Sequence, residues 1–149
     1  MKIDFVSKSC FDKIKEFEGY KSRAYLCPSG VLTIGYGHTS GVKHGDVVSI
    51  DEAEKMLVND LRPICRYLSS LNIYLSQGMF DALADFIFNV GLSAFKRSTL
   101  FKKVLQNSEQ SCIANEFRKW VYSRGKILSG LKSRREWEIK QYYSCSLLR

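Results

Sequence analysis

The stretch EGYKSRAYLCPSGVLTIGYGH, residues 18–38, sets an acid at the end of a helix-periodic run and follows it with a glycine-rich, β-prone segment. Upstream, Phe11, Ile14 and Phe17 recur on one helical face; Ser9 followed by Asp12 supplies a capping-box start and Gly19 a C-terminal stop, so the first helix is expected to end near Glu18. From Tyr20 to Ile50, Gly30, Gly35, Gly37, Gly41 and Gly45 punctuate short β-prone runs such as Val31 to Ile34, which predicts a small antiparallel sheet or hairpin pair running back past the acid. Carbonyls at a helix C-terminus carry partial negative charge and favour a protonated Glu18, and a protonated carboxyl can act as a general acid towards a leaving oxygen. Taken alone, a Glu near a helix end is more often simply solvated.

Everything after this segment reads as helical. Ser49 with Glu52 forms a capping box, and Ala53, Met56, Leu57 and Leu61 follow at helical spacing until Pro63, which is expected to kink or end the segment. Met79, Leu83, Phe86, Ile87 and Val90 form an apolar stripe closed by Gly91. Leu100, Phe101, Val104 and Leu105 repeat the pattern, as do Ile113, Phe117, Trp120 and Val121, and 131–143 forms a last, very basic helix. The plan is α+β: an N-terminal helix, a small antiparallel β lobe over 20–50, then a mainly helical lobe over 51–149, all in one domain spanning 1–149.

A chain of 149 residues with 45% apolar content buries one substantial core. No run approaches the apolar length that spans a bilayer, and Met1 to Phe11 alternates charged and apolar side chains instead of forming a signal sequence, so the chain is expected to be made in the cytoplasm and to stay there until released. Cys10, Cys27, Cys65, Cys112 and Cys145 are odd in number and scattered, without zinc-like grouping around His38 or His44; a reduced compartment fits, and neither a metal nor an organic cofactor is implied. The charge of +8 is uneven: residues 1–99 hold 12 Lys/Arg against 11 Asp/Glu, residues 100–149 hold 11 against 4. That asymmetry implies an anionic partner, for which nucleic acid, an anionic membrane and an acidic bacterial wall would each serve, while any single cation there is as readily a solvated helix face.

The order Glu18, eight residues, Cys27, five residues, Thr33, then Ile34-Gly35-Tyr36-Gly37-His38, resembles the catalytic signature of the phage-type lysozymes, the muramidases or endolysins of glycoside hydrolase family 24. The resemblance continues through 77–83, 88–91, 95–100, 120–122 and 130–135 and covers nearly the whole chain. It implies a lysozyme-like fold and hydrolysis of the β-1,4 bond between N-acetylmuramic acid and N-acetylglucosamine in peptidoglycan. It also implies Glu18 as general acid, Thr33 as a hydroxyl holding the attacking water, and Cys27 in the place usually filled by Asp. Gly37, Phe88, Asn89 and Ser98 follow as sugar contacts, Arg134 or Arg135 as a partner of Glu18, and His38 as a structural histidine. The family is associated with an inverting reaction, in which two groups leave room for a water.

An Asp would be ionised at neutral pH, whereas an unperturbed thiol is mostly neutral, so Cys27 reads as a water-activating group, a thiolate nucleophile or a silent buried thiol. The first is favoured because Thr33 is retained and a sugar thioether would hydrolyse slowly. The implied partner is the wall glycan, met as a monomer without stable membrane insertion and reached through a pore made by a separate protein. Two other classes compete: a wall-binding protein that has lost hydrolysis, and a basic helical nucleic-acid binder. The retained Glu18 and Thr33 speak against the first; the core-like spacing of Phe117, Trp120 and Trp137 speaks against the second.

Overall fold

The computed structural model describes residues 2–144; Met1 and Cys145 lie outside the described residues. Two compact units emerge, one of Lys8–Pro63 and one of residues 2–7 with 64–144.

In the first unit, α1 (Lys8–Glu18) buries Cys10 and Ile14. It begins one residue before Ser9, which therefore lies inside the helix and is not its cap; Lys8 instead pairs with Asp12 at 2.7 Å across the first turn. The stop is as expected: Gly19 adopts φ 71° and its N–H reaches the Lys15 carbonyl at 2.8 Å. Strands β1 (Lys21–Leu26) and β2 (Leu32–Gly35) pair antiparallel, with Tyr25 opposite Thr33. The far edge of β1 is joined by 46–48 through Ala24 N–H to Asp46 O and Val48 N–H to Ser22 O. Ile34 and His38 exchange two backbone hydrogen bonds of 2.9 Å across a tight return. Gly35 meets α2 there: a Cβ on it would stand 3.1 Å from the Ala53 Cβ. Ile34, Tyr36, Val48, Ala53, Leu57 and Leu61 complete this core.

Helix α2 (Ile50–Ser70) opens on the expected capping box, with Ser49 N–H donating to Glu52 Oε1 at 2.9 Å and Glu52 N–H to Ser49 Oγ at 3.1 Å. Pro63 does not end it. Helix runs on for seven residues because Ile64, Cys65 and Leu68 bury their side chains beyond the proline, outweighing one missing backbone donor. The boundary between the two units falls at this proline.

The second unit is built around α3 (Gln77–Val90), in which every residue from Phe80 to Ile87 is buried, a wider burial than the single stripe expected. Ser76 caps its start and Gly91, at φ 96°, its end. Around it stand α4 (Leu92–Arg97), α5 (Thr99–Leu105), α6 (Gln110–Arg118) and α7 (Ser129–Tyr142), and Phe86 packs edge-on against Phe117 and Trp120. The stretch after α2 is not wholly helical: α6 ends before Trp120 and Val121, and β3 (Tyr122–Ser123) pairs with β4 (Lys126–Ile127) in a hairpin. Its two-residue turn holds Arg124 at φ 51° and Gly125 at φ 77°, the left-handed pair that matches strand twist.

Two cations of the basic last helix are not on the surface. Arg134 donates to Asp85 from Nε (3.0 Å) and Nη2 (2.7 Å), and Arg135 donates from Nη2 to Glu138 Oε2 (3.1 Å). Arg135 Nε and Glu138 Oε1 lie 2.9 Å apart but out of line for a hydrogen bond. Burial, then the hydrogen bond and charge of Asp85, hold the Glu138 carboxyl well above the usual carboxylate range.

Two stability measurements follow. A Cβ on Gly78 would collide with the Gln141 carbonyl oxygen and Ser144 Oγ. In Gly78→Ala, overpacking against backbone (~3 kcal/mol) outweighs the gain in helix propensity (~1 kcal/mol), and thermal denaturation should show Tm lower by about 4–8 °C. For Glu138, the native pKa is raised, so the folded state keeps a proton that the unfolded chain releases above the ordinary glutamate value of 4.5; this stability is present at low pH and is lost as pH rises. Glu138→Gln carries no such titration. Its Tm relative to the parent should therefore climb between pH 5 and pH 8, and a difference that stays constant would contradict the assignment.

Candidate active site

Glu18 is the last residue of α1, and its carboxyl rests on the backbone of Gly37. A Cβ at Gly37 would stand 2.7 Å from Glu18 Oε1, and its φ of 79° disfavours any side chain. Gly37 thus fits here for two independent reasons.

Cys27 follows β1 and opens a tight turn in which its N–H reaches Val31 O (3.0 Å) and Gly30 N–H returns to its carbonyl (2.8 Å). Pro28 and Ser29 occupy the turn, which folds the Ser29 hydroxyl back to 2.8 Å from Cys27 Sγ. That hydroxyl, then the Val31 and Ser29 N–H groups and the Thr33 hydroxyl, lower the thiol from 9.0 to about 7 against a smaller opposing effect of desolvation. At neutral pH Cys27 is therefore more readily ionised than an ordinary thiol. Cys65 is the contrast: buried, its thiol is pushed up to about 11.

Thr33 is buried, with Oγ1 3.0 Å from the Val31 carbonyl. Its single hydroxyl proton serves either that carbonyl or the thiolate. Opposite it in register, Tyr25 has its phenol pKa raised by burial first and then by the charges of Cys27 and Glu18. Glu18, Cys27, Thr33 and Gly37 belong to the first unit. His38 has both ring nitrogens occupied, Nδ1 at 2.8 Å from Asp60 Oδ2 and Nε2 at 2.9 Å from Ser40 O, which makes it a tie between the hairpin return and α2.

Phe88 and Asn89 lie half-buried at the end of α3 in the second unit, where Asn89 Oδ1 accepts from Arg135 Nη2 at 2.7 Å. Ser98 is buried at the start of α5: its Oγ donates to Phe95 O (2.6 Å) and accepts from Phe101 N–H (3.0 Å), so its hydroxyl proton is spent on capping. Among the described residues, no group of three or more His, Cys, Asp or Glu is placed to hold a metal ion. Sequence reasoning missed Ser29 and Tyr25. A Ser two positions after the Cys in a Pro-Ser-Gly turn was the available signal for Ser29.

Residues 15–138 match the phage lysozyme family. The chain is 38% identical over 132 residues to the endolysin of Acyrthosiphon pisum secondary endosymbiont phage 1, covering 84% of this chain and 88% of that one. It is 39% identical over 137 residues to the endolysin of Bacillus phage B103, covering 89% of this chain but spanning only 52% of that relative's length. Among solved structures, the muramidase domain of SpmX from Asticaccaulis excentricus matches with a TM-score of 0.86 at 30% identity, covering 96% of this chain and all of that one. The α+β fold together with these matches places the chain in the phage lysozyme family. It is a glycoside hydrolase that acts on peptidoglycan.

The Cys27 environment is directly measurable. Alkylation of Cys27 by iodoacetamide, followed by peptide mass spectrometry, should show a rate midpoint near pH 7. In Ser29→Ala the midpoint should move up towards 9.0, the value from which Cys27 is shifted; a parent midpoint already there would refute the tuning.

Proposed function

We propose that this lysozyme hydrolyses the β-1,4 bond between N-acetylmuramic acid and N-acetylglucosamine in a single inverting displacement. Glu18 protonates the leaving oxygen. Cys27, as thiolate, accepts a proton from the attacking water, and Thr33 helps to hold that water. The observation that carries the reading is the thiol lowered to about 7 by hydroxyl and amide donors of its own turn, beside the same tyrosine that feels Glu18. Such an environment supports the reading of Cys27 as a base over that of an inert thiol. A nucleophilic thiolate would leave a thioglycoside, whose hydrolysis is slow, so the water-activating role is favoured.

Gly37, Phe88 and Asn89 are assigned as glycan contacts, with Ser98 acting through the cap it provides. The chain is read as one lysozyme domain working as a monomer, and the resemblance carries the same proposal for its route, release from the host cytoplasm through a pore made by a separate protein. The +8 charge serves attraction to acidic wall polymers. A nucleic-acid role is disfavoured because Phe117 is fully buried and Trp120 packs edge-on at 5.3 Å against Phe86, so both rings contribute to the core.

Turbidity assays on purified walls test the roles. Glu18→Gln should lose at least about 100-fold in rate with unchanged circular dichroism, as should Cys27→Ala, while Cys27→Asp should recover most of the activity. Full activity in Cys27→Ala would remove the thiol from the mechanism. The first-formed reducing end should be the α anomer by NMR; a β anomer or an anhydro sugar would exclude single displacement by water.

A further inference from the structure

Cations of the second unit divide into those that are answered and those that are not. Arg118, Lys119, Arg134 and Arg135 each face a carboxyl group. Across residues 64–108 the balance differs: Arg66, Lys96, Arg97, Lys102 and Lys103 share the stretch with only Asp81 and Asp85, and both acids are buried. Asp85 is taken by Arg134, and Asp81 by Ser7 and Gln77. Among the described residues, none of these five cations forms an ion pair with a carboxylate. Packing gathers them. Lys96 and Arg97 close α4, Lys102 and Lys103 close α5, and Ser98 alone separates the two helices. Phe101 of α5 meets Phe95 of α4 at 4.8 Å and Tyr67 of α2 at 6.2 Å, while the Lys96 amine stands 4.7 Å above the Tyr67 ring. Arg66 precedes that tyrosine, and all five except Lys103 are exposed. A helix C-terminus offers its own cations only about half a negative charge, so two cations at each end leave a positive excess.

We propose that this face, formed by the second half of α2 with α4 and α5, binds the phosphate groups of a glycerol-phosphate polymer of the cell wall. Ammonium and guanidinium groups both donate strongly to phosphate oxygens. The cations are spread over the ends of two short helices, which suits a flexible polyanion with one charge per repeat. A stiff duplex follows such a spread less easily, and Lys96 already takes one face of the Tyr67 ring, which favours charge contact over base stacking. The proposal rests on the wall-hydrolase reading above and gives its electrostatic attraction a place and a chemical partner.

Fluorescence anisotropy with labelled poly(glycerol phosphate) tests position at constant charge. One variant replaces Arg66, Lys96, Arg97 and Lys102 with Gln; a control replaces Lys43, Lys55, Lys132 and Lys140, also exposed, and removes the same charge. In low salt the first should lose at least about tenfold in affinity and the control under about threefold, and added salt should weaken the parent more steeply than the first variant. Lys102→Glu alone should weaken binding in the same direction, and it serves if the multiple variant fails to fold. Equal losses in the two multiple variants, unchanged affinity in Lys102→Glu, no binding by the parent, or tighter binding of duplex DNA at equal phosphate concentration overturns the proposal. Lysis is followed in parallel on intact walls and on walls stripped of phosphate polymer, and the first variant should lag only on the intact ones. A lag of the same size on both refutes the phosphate partner alone, and no lysis of either by the parent refutes the enzymatic reading.

Discussion

Two adjacent arginines of α7, both buried, set the organisation of the larger unit. Guanidinium groups taken out of water are costly, and geometry must compensate: Arg134 is gripped through two nitrogens by Asp85, while Arg135 shares Glu138, Asn89 and the face of Phe86. Removing one partner from such a set typically costs about 3–5 kcal/mol, whereas the intact set adds little net stability compared with a well-packed apolar core. Its contribution is therefore mainly to orientation. It fixes α7 against α3, turns the Asn89 amide and anchors Trp120 ahead of the hairpin.

The protonation of Glu138 belongs to the same logic. Two carboxylates and two guanidiniums would balance formally, yet full burial of Glu138 beside Asp85 favours its neutral form. A neutral Glu138 can donate to Asp85, leaving Asp85 as the full negative charge facing Arg134. The arrangement works as a graded hydrogen-bonding set and not as two independent ion pairs.

How far the sequence discloses this fold depends on whether each side chain follows its usual preference. The α1 stop at Gly19, the Ser49–Glu52 box and the β1–β2 hairpin are local devices, readable because each is satisfied within a few residues. Pro63 misled because a local breaker was outweighed by apolar burial on its far side. The β3–β4 hairpin escaped because strands of two residues carry no period, and Arg124 occupies a turn position that usually takes Asn, Asp or Gly. In α7 the buried face holds Arg134, Arg135 and Glu138, so apolar periodicity is absent where burial is deepest. At the candidate site, Glu18, Cys27, Thr33 and Gly37 are picked out by the family resemblance, whereas the Ser29 hydroxyl beside the thiol is delivered by turn geometry and signalled only by its place in a Pro-Ser-Gly turn.

The replacement of a carboxylate by a thiol changes what the surrounding backbone has to do. A carboxylate is ionised at neutral pH without help, so its neighbours need only orient it. A thiol must be brought into range, and here neutral dipoles do so: the Ser29 hydroxyl first, then the Val31 and Ser29 N–H groups and Thr33. Neutral donors stabilise the thiolate without a full positive charge beside it, and the lowered pKa brings a larger ionised fraction at neutral pH together with weaker basicity. A neighbouring cation would lower the pKa by competing for that same negative charge. The turn linking β1 to β2 thus closes the hairpin and sets the ionisation of Cys27 in one piece of backbone, with the single Thr33 hydroxyl proton shared between the Val31 carbonyl and the thiolate.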